Sequence, residues 1–314
     1  MVSSPHPPIG RTKAECGSAP DPDDHQIFVQ IPAYRDPDLS ATLRDLFSKA
    51  YEPQSLRVAV LWQRASGDSI ERELLEQPNL EIIGVPFEES KGCGWARNKL
   101  QQLWRGEPYT LILDSHHRFT SNWDKRLLDF YRGLIRDGVK KPILTAYMSP
   151  FSLQDDPLHR KGEPLKICPY ERQNGLLLRL IGRRIKNWER LSAPVSGNFV
   201  SLHFLFASGE FNKEIEFDPN CYFRGDEVAT SLRAFTHGYD IFHPHELIGW
   251  HCYQRDYRAT HWQDHQDWSA QDLISIRNLK VLLSGRYLNR YGIGRQRTLR
   301  QFEDRLAVKL WDGT

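Results

Sequence analysis

Residues 109–120 read YTLILDSHHRFT, and no other stretch constrains the fold as much. Tyr109 to Leu113 is a continuous apolar run with β-branched and aromatic members, which predicts a strand buried on both faces. Such a strand sits inside a sheet covered by helices, an α/β architecture. The run ends in Asp114-Ser115-His116. Side chains alternate along an extended chain, so Asp114 and His116 point the same way. A carboxylate and an imidazole side by side are a natural start for a metal site. They stand at the carboxyl end of the strand, where open α/β sheets bind ligands. The alternative is that Asp114 caps the next turn and His116 is an ordinary loop histidine. Asp-x-His is too short a motif to decide alone.

The flanking segments supply a sheet. Ile27 to Ile31 predicts a strand stopped by Pro32, and Leu39 to Ala50 a helix ended by Pro53. Leu56 to Trp62 and Leu80 to Val85 predict two more strands, giving a mixed, mostly parallel sheet flanked by helices. Lys91 to Arg105 is a glycine turn running into an amphipathic helix. Backbone N–H groups at such a start can face phosphate, although the turn is neither a dinucleotide fingerprint nor a P-loop. Trp123 to Ile135 predicts a helix capped by Asn122. Lys141 to Tyr147 and Asn198 to Phe206 predict strands, the second closed by the turn Ala207-Ser208-Gly209. Gly225-Asp226-Glu227 opens a helix over Val228 to Thr236, stopped by Gly238. Asp240 to His243 and Ile248 to His251 predict strands. Residues 263–285 and Thr298 to Val308 predict helices.

Residues 1–25, rich in Pro, Ser, Gly and Asp, predict a disordered tail. Residues 26–285 form one folded domain, and 286–314 a helical tail packed on it. Within the domain, residues 149–194 are basic. They predict either a mobile flap beside a site, facing an anionic donor or an acidic acceptor, or a solvated amphipathic helix. The net charge of +2 gives no reason to expect nucleic acid. No apolar run approaches the 18 or so residues of a membrane span, and the N-terminus lacks a secretory core. Five scattered cysteines without a CxxC pair predict reduced thiols and a cytoplasmic setting. Cys93 reads as a small packing residue.

The residues suited to chemistry are Asp114, His116, His251, Asp226 and Glu227. Three or four of them could close round one divalent ion. Carboxylate and imidazole with open positions suit Mn²⁺ or another first-row metal, with Mg²⁺ as the alternative, better than structural zinc. Open positions would take phosphate oxygens and neutralise a leaving diphosphate. Asp226 and Glu227 also read as helix-start residues. Adjacent positions on a helix diverge, so one of the two is expected to reach a site. His117 alternates to the opposite face and ranks below His116. His261 and His265 read as surface residues, and His243 and His245 as loop residues.

Several blocks together resemble one family: IPAYRDPDLSATLRDLF, KGCGWARNKLQQLWRGEPYTLILDSHHRFTSNWD, FDPNCYFRGDEVATSLRAFTHGYDIFHP, WHCYQR and YGIGRQRTLRQFED. They resemble the GlcNAc-type family of retaining glycosyltransferases, from about Ile27 to Asp304. No motif of that family is visible between Ser149 and Pro194. The resemblance implies a GT-A fold, a single nucleotide-binding domain in which Asp-x-His replaces Asp-x-Asp. It implies a UDP-sugar donor, a divalent metal held by Asp114, His116 and His251, and a hydroxyl acceptor on a protein, peptide or small molecule. It also implies that Pro32, Tyr34, Arg35 and Gln63 hold uridine, and that Arg97 and Ser115 meet the nucleotide or diphosphate. Ser208 and Gly209 would lie near the donor sugar, and Asp226 or Glu227 would hold sugar hydroxyls or orient the acceptor. Competing readings are the same chemistry on a polysaccharide, a non-catalytic nucleotide-sugar-binding module, and a metal-dependent hydrolase.

Overall fold

A computed structural model describes residues 25–285 and 289–313. The expected N-terminal tail lies outside the described residues except for His25, as do residues 286–288 and Thr314 of the C-terminal tail. The first half of the chain runs β1 (Ile27–Tyr34), α1 (Leu39–Lys49), β2 (Leu56–Arg64), α2 (Arg72–Leu75), β3 (Leu80–Pro86), α3 (Cys93–Gln101), β4 (Tyr109–Leu113), β5 (His117–Phe119) and α4 (Trp123–Arg136). It continues through β6 (Pro142–Thr145), β7 (Ser149–Pro150), β8 (Leu165–Gln173), β9 (Leu176–Arg184), β10 (Val195–Gly197) and β11 (Phe204–Ser208). It closes with α5 (Phe211–Glu214), α6 (Asp226–Thr236), β12 (Asp240–His243), β13 (Gly249–His251), α7 (His261–Asp264), α8 (Trp268–Leu283) and α9 (Leu299–Leu306).

Eight strands form the main sheet, in the order β10-β12-β6-β11-β4-β1-β2-β3. The β4–β1–β2–β3 half is parallel, as is β6 with β12. β11 runs antiparallel between β4 and β6, and β10 runs antiparallel to β12. The central strand β4 is buried along its whole length. α1 and α4 cover one face, packing Leu43, Trp123 and Leu127 on Val29, Ile31 and Leu111. α3 covers part of the other, with Ala96 and Leu100 on Phe28 and Ala59. Full burial of a Leu, Ile or Phe is worth about 1.5–3 kcal/mol relative to exposure, so this two-sided packing fixes the carboxyl end of β4.

The first strand passes through Pro32 instead of stopping there. Arg35 N donates to Gln63 O on β2, so by alternation the nitrogen of residue 32 faces β4. Pairing with β4 ends at Gln30, and the N–H that proline lacks has no partner to lose. Asn122 sits before α4 but makes no capping bond; its φ is +58°. The segment Asn198–Phe206 is only partly strand. β11 begins at Phe204, because the Leu202–His203 bend turns the chain toward the site. Residues 263–285 split into α7 and α8.

The basic stretch contains an antiparallel hairpin, β8–β9, and its only helical pieces among the described residues are single 3-10 turns at Pro157–His159 and Trp188–Arg190. Asn174 and Gly175 at its tip have φ of +49° and +75°. This two-residue turn suits the strand twist, and Asn-Gly is its sequence signal. The hairpin packs Ile167, Leu176 and Leu177 on Leu232, Leu279 and Phe302. Leu177 N donates to Leu310 O at 2.9 Å, which ties the C-terminal segment to it. No helix among the described residues is long and apolar enough to cross a membrane.

Candidate functional site

Asp114 and His116 lie just past the end of β4, and a small second sheet brings in His251. β13 pairs antiparallel with β5, so that His251 stands opposite His117. Cys252 N donates to His116 O at 3.0 Å. One ligand atom from each of Asp114, His116 and His251 then falls within 4.8 Å of the others. Asp114 Oδ2 is 3.5 Å from His251 Nε2 and 3.9 Å from His116 Nε2. His117 also lies beside His251, with ring centroids 4.7 Å apart, but its Nδ1 is 3.1 Å from Asp114 O and it contributes no ligand atom to this group.

The electrostatics suit a cation. Burial alone would raise the Asp114 carboxyl, but His251, Arg97 and His116 outweigh it and hold the group well below the usual carboxylate range. Burial holds His251 well below the ordinary imidazole value, so the ring is neutral. Both its nitrogens are buried without a hydrogen-bond partner, since the 3.5 Å approach to Asp114 is too long for a good bond. An orphaned neutral imidazole beside an ionised carboxylate fits a divalent cation. Asp36 completes the surroundings, with Oδ2 2.6 Å from His116 Nδ1.

Arg97, from α3, is buried behind this group. Its Nη2 lies 3.4 Å from Asp114 Oδ1, and its Nη1 3.2 Å from Asp226 Oδ2. Nη2 also donates to Leu202 O at 3.2 Å. Of the two adjacent acids, Asp226 faces Arg97, whereas Glu227 accepts from the Tyr147 hydroxyl and from Leu202 N. Burial and the Asp226 charge push Glu227 up to about 7. Burial also raises Asp226, against the pull of Arg97.

The cavity in front of the three ligands reaches Pro32, Tyr34 and Gln63, and is also lined by Ser115, Arg255 and Arg258. Gln63 Oε1 accepts from Ser90 Oγ at 2.5 Å, and Tyr34 donates to Asp264 at 2.8 Å. Arg255 lies with its guanidinium 5.1 Å from the Trp262 ring centroid. Arg258 comes within 4.0 Å of Asp36. These two arginines give the cavity a basic wall that suits an anion. Sequence reasoning overlooked them, although the run QRDYR after WHCY carries both.

Several expectations need correction. Ser208 and Gly209 are not near the site. β11 is antiparallel to β4 and pairs Ser208 with Tyr109, placing them at the opposite end of the strand, roughly 13 Å along it. Leu202 and His203 occupy the site end instead; His203 O accepts from Asp114 N at 3.3 Å. Arg35 turns away into a neighbouring cavity and pairs with Asp264 at 2.8 Å. The N–H groups of Cys93 and Gly94 are unavailable to phosphate, because Tyr222 O and Cys221 O accept them. A Cβ on Gly94 would lie 2.2 Å from Cys221 O, so close packing requires the glycine. Burial pushes the Cys93 thiol up to about 12, leaving it unreactive. His261 is not a surface residue: it lines the cavity, 3.0 Å from Ser90 Oγ, and stacks on His265. His243 and His245 are buried, and His243 Nδ1 lies 2.7 Å from Thr145 O. His203, which no sequence signal marked, lies against His251.

A family model described as Glycosyltransferase (GlcNAc) matches residues 26–75 and 70–311. No curated protein sequence matches the chain. Among solved structures, GalNAc-T7 with UDP, GalNAc and Mn²⁺ superposes with a TM-score of 0.57 at 12% identity, over 92% of this chain. The chain spans 55% of the length of that protein. The S. aureus TarS fragment 1-349 in complex with UDP-GlcNAc gives a TM-score of 0.50 at 14% identity, over 90% of this chain and 70% of that one.

Proposed function

The chain belongs to the GlcNAc glycosyltransferase family, and from that premise we propose that it moves GlcNAc from UDP-GlcNAc to a hydroxyl of a protein or peptide, with a divalent metal and with retention at the anomeric carbon. Family and GT-A fold make it a nucleotide-sugar transferase. The carrying observation is the convergence of Asp114, His116 and the orphaned His251 beside a cavity that reaches the ends of β1 and β2.

In this reading Pro32, Tyr34 and Gln63 hold the uridine, with Ser115 beside the ligands. Asp114, His116 and His251 hold the metal, with Mn²⁺ preferred and Mg²⁺ as the alternative. When bound, the ion acts as a Lewis acid on the diphosphate. Arg97 keeps Asp114 ionised and aimed, and Arg255 and Arg258 face the departing UDP. Asp226 and Glu227 orient sugar hydroxyls or the acceptor. The donor C1–O bond breaks as the acceptor oxygen bonds C1 on the same face, and the acceptor proton passes to the departing diphosphate oxygen. This reading puts the basic hairpin on the acceptor side; in its support, Gly182 packs against Tyr147, which bonds Glu227. On its cysteine usage we place the enzyme in the cytoplasm.

The test is metal-dependent release of UDP from a panel of UDP-sugars, followed by product NMR. UDP-GlcNAc should be the best donor and the product α-linked. His251→Ala and Asp114→Ala should each lose at least ~100-fold in turnover. A β-linked product would refute retention, and full metal-dependent turnover in either variant would remove that residue from the ligand set.

A further inference from the structure

We infer that Asp36 is a positioning residue, which fixes the tautomer and the ring orientation of His116 so that Nε2 faces the cation. The inference rests on the metal-site reading above. It concerns a residue outside the ligand set.

The two imidazoles of the site are held by different means. His251 has no hydrogen-bond partner on either nitrogen, and its ring packs against His203 and Tyr253. His116 is anchored chemically. Asp36 is 5% exposed, and its Oδ2 lies 2.6 Å from His116 Nδ1 and accepts from Ser115 Oγ at 2.7 Å. Its other oxygen, Oδ1, accepts from Asp38 N at 3.0 Å. An ionised carboxylate accepts and cannot donate, so the hydrogen in this contact belongs to Nδ1. A ring whose single hydrogen is on Nδ1 keeps its lone pair on Nε2, the atom that faces Asp114 Oδ2 at 3.9 Å. Arg35, at φ +43°, bends the chain immediately before Asp36, and Asp264 holds Arg35 in place.

The same geometry predicts what Asp36→Asn would do. The amide oxygen is claimed by Asp38 N, so the amide nitrogen takes the place of Oδ2 and donates toward His116 Nδ1. The ring hydrogen moves to Nε2 and blocks the ligand atom. Flipping the amide back would set two donors, the introduced amide nitrogen and Asp38 N, against each other.

The experiment combines Mn²⁺ titration by electron paramagnetic resonance with the His116 tautomer read by ¹H–¹⁵N NMR in the metal-free protein. Asp36→Asn should weaken Mn²⁺ binding by about 10–100-fold and move the ring hydrogen from Nδ1 to Nε2. Metal-free thermal melting reports whether the variant is folded, and the tautomer is read only on folded protein. Asp36→Glu, which keeps an acceptor, should recover part of the affinity. Unchanged Mn²⁺ affinity in folded Asp36→Asn, or an Nε2-protonated ring in the wild type, would overturn the inference alone. Wild-type Mn²⁺ affinity in His116→Ala would overturn the metal-site reading itself.

Discussion

His203 lies almost flat against His251, with ring centroids 4.2 Å apart and planes 21° from parallel. His203 Nε2 accepts from Met148 N at 3.2 Å, so Nδ1 carries the hydrogen and donates to Ser201 Oγ at 2.8 Å. Burial, followed by the neighbouring His251, holds His203 well below the usual imidazole range. It is therefore a neutral ring with both nitrogens engaged, a fixed wall against which the orphaned ring of His251 rests.

Removing that wall should loosen one ligand without deleting it. His203→Ala is expected to raise the Mn²⁺ concentration for half-maximal UDP release by about tenfold. The rate at saturating metal should change little. An unchanged metal requirement, measured by titrating Mn²⁺ into the UDP-release assay, would show that His251 is oriented without the stack.

Arg97 joins two carboxylates that would otherwise share one buried neighbourhood. Arg97→Ala should cost on the order of 3 kcal/mol in urea unfolding at neutral pH, the low end for a broken buried pair because both acids keep some solvent contact. The cost should shrink as the pH falls and the carboxyls protonate. Arg97→Lys supplies one point charge in place of a fork and should recover only part of it. A pH-independent cost would mean that packing, and not charge, is what Arg97 provides.

Glu227 gives a stability signature of unusual sign. Its folded value of about 7 lies above the ordinary 4.5, through burial and the charge of Asp226. The folded state therefore holds the proton more tightly than the unfolded chain. Stability on this account is greatest below pH 4.5, falls through the window from 4.5 to 7, and is fully lost above it. Glu227→Gln removes the dependence and still offers an oxygen to Leu202 N. Relative to wild type, the variant should gain roughly 3 kcal/mol between pH 4 and pH 8. Denaturant melts at the two pH values measure this, and parallel shifts of both proteins would contradict it.

On the hairpin, Lys166 stands directly opposite Arg183, and both are exposed. Like charges placed so are mildly destabilising unless an anion lies near. If this face receives an acidic acceptor segment, Lys166→Glu combined with Arg183→Glu should raise KM for a Glu-rich hydroxyl-bearing peptide several-fold at low salt. UDP release to water should not change, because neither residue lines the donor cavity. An equal KM in the two proteins would assign the acceptor to another surface.

The central strand and the pairing of Asp114 with His116 were legible because both follow from local rules: an unbroken apolar run, and alternation with a period of two. The Asn-Gly turn was equally local. The run of charges on either side obscures the alternation of the strands that flank it. The wrong end assigned to Ser208 and Gly209 has a different origin. A strand's residues announce that it is a strand, but not whether it runs up or down, and the antiparallel insertion of β11 between two other strands inverted which of its ends meets the site.

The residues by themselves settled that a buried strand ends in a carboxylate and an imidazole facing the same side. They did not settle what surrounds that pair. His251 arrives through the pairing of β13 with β5, Asp36 through a bend that follows β1, Arg97 through the seating of α3, and His203 through the turn before β11. Asp36 and His116 are 80 positions apart in the chain, yet 2.6 Å separates their bonded atoms. Contacts of that kind depend on how whole elements pack, and packing is a property of the assembled core that no local pattern encodes.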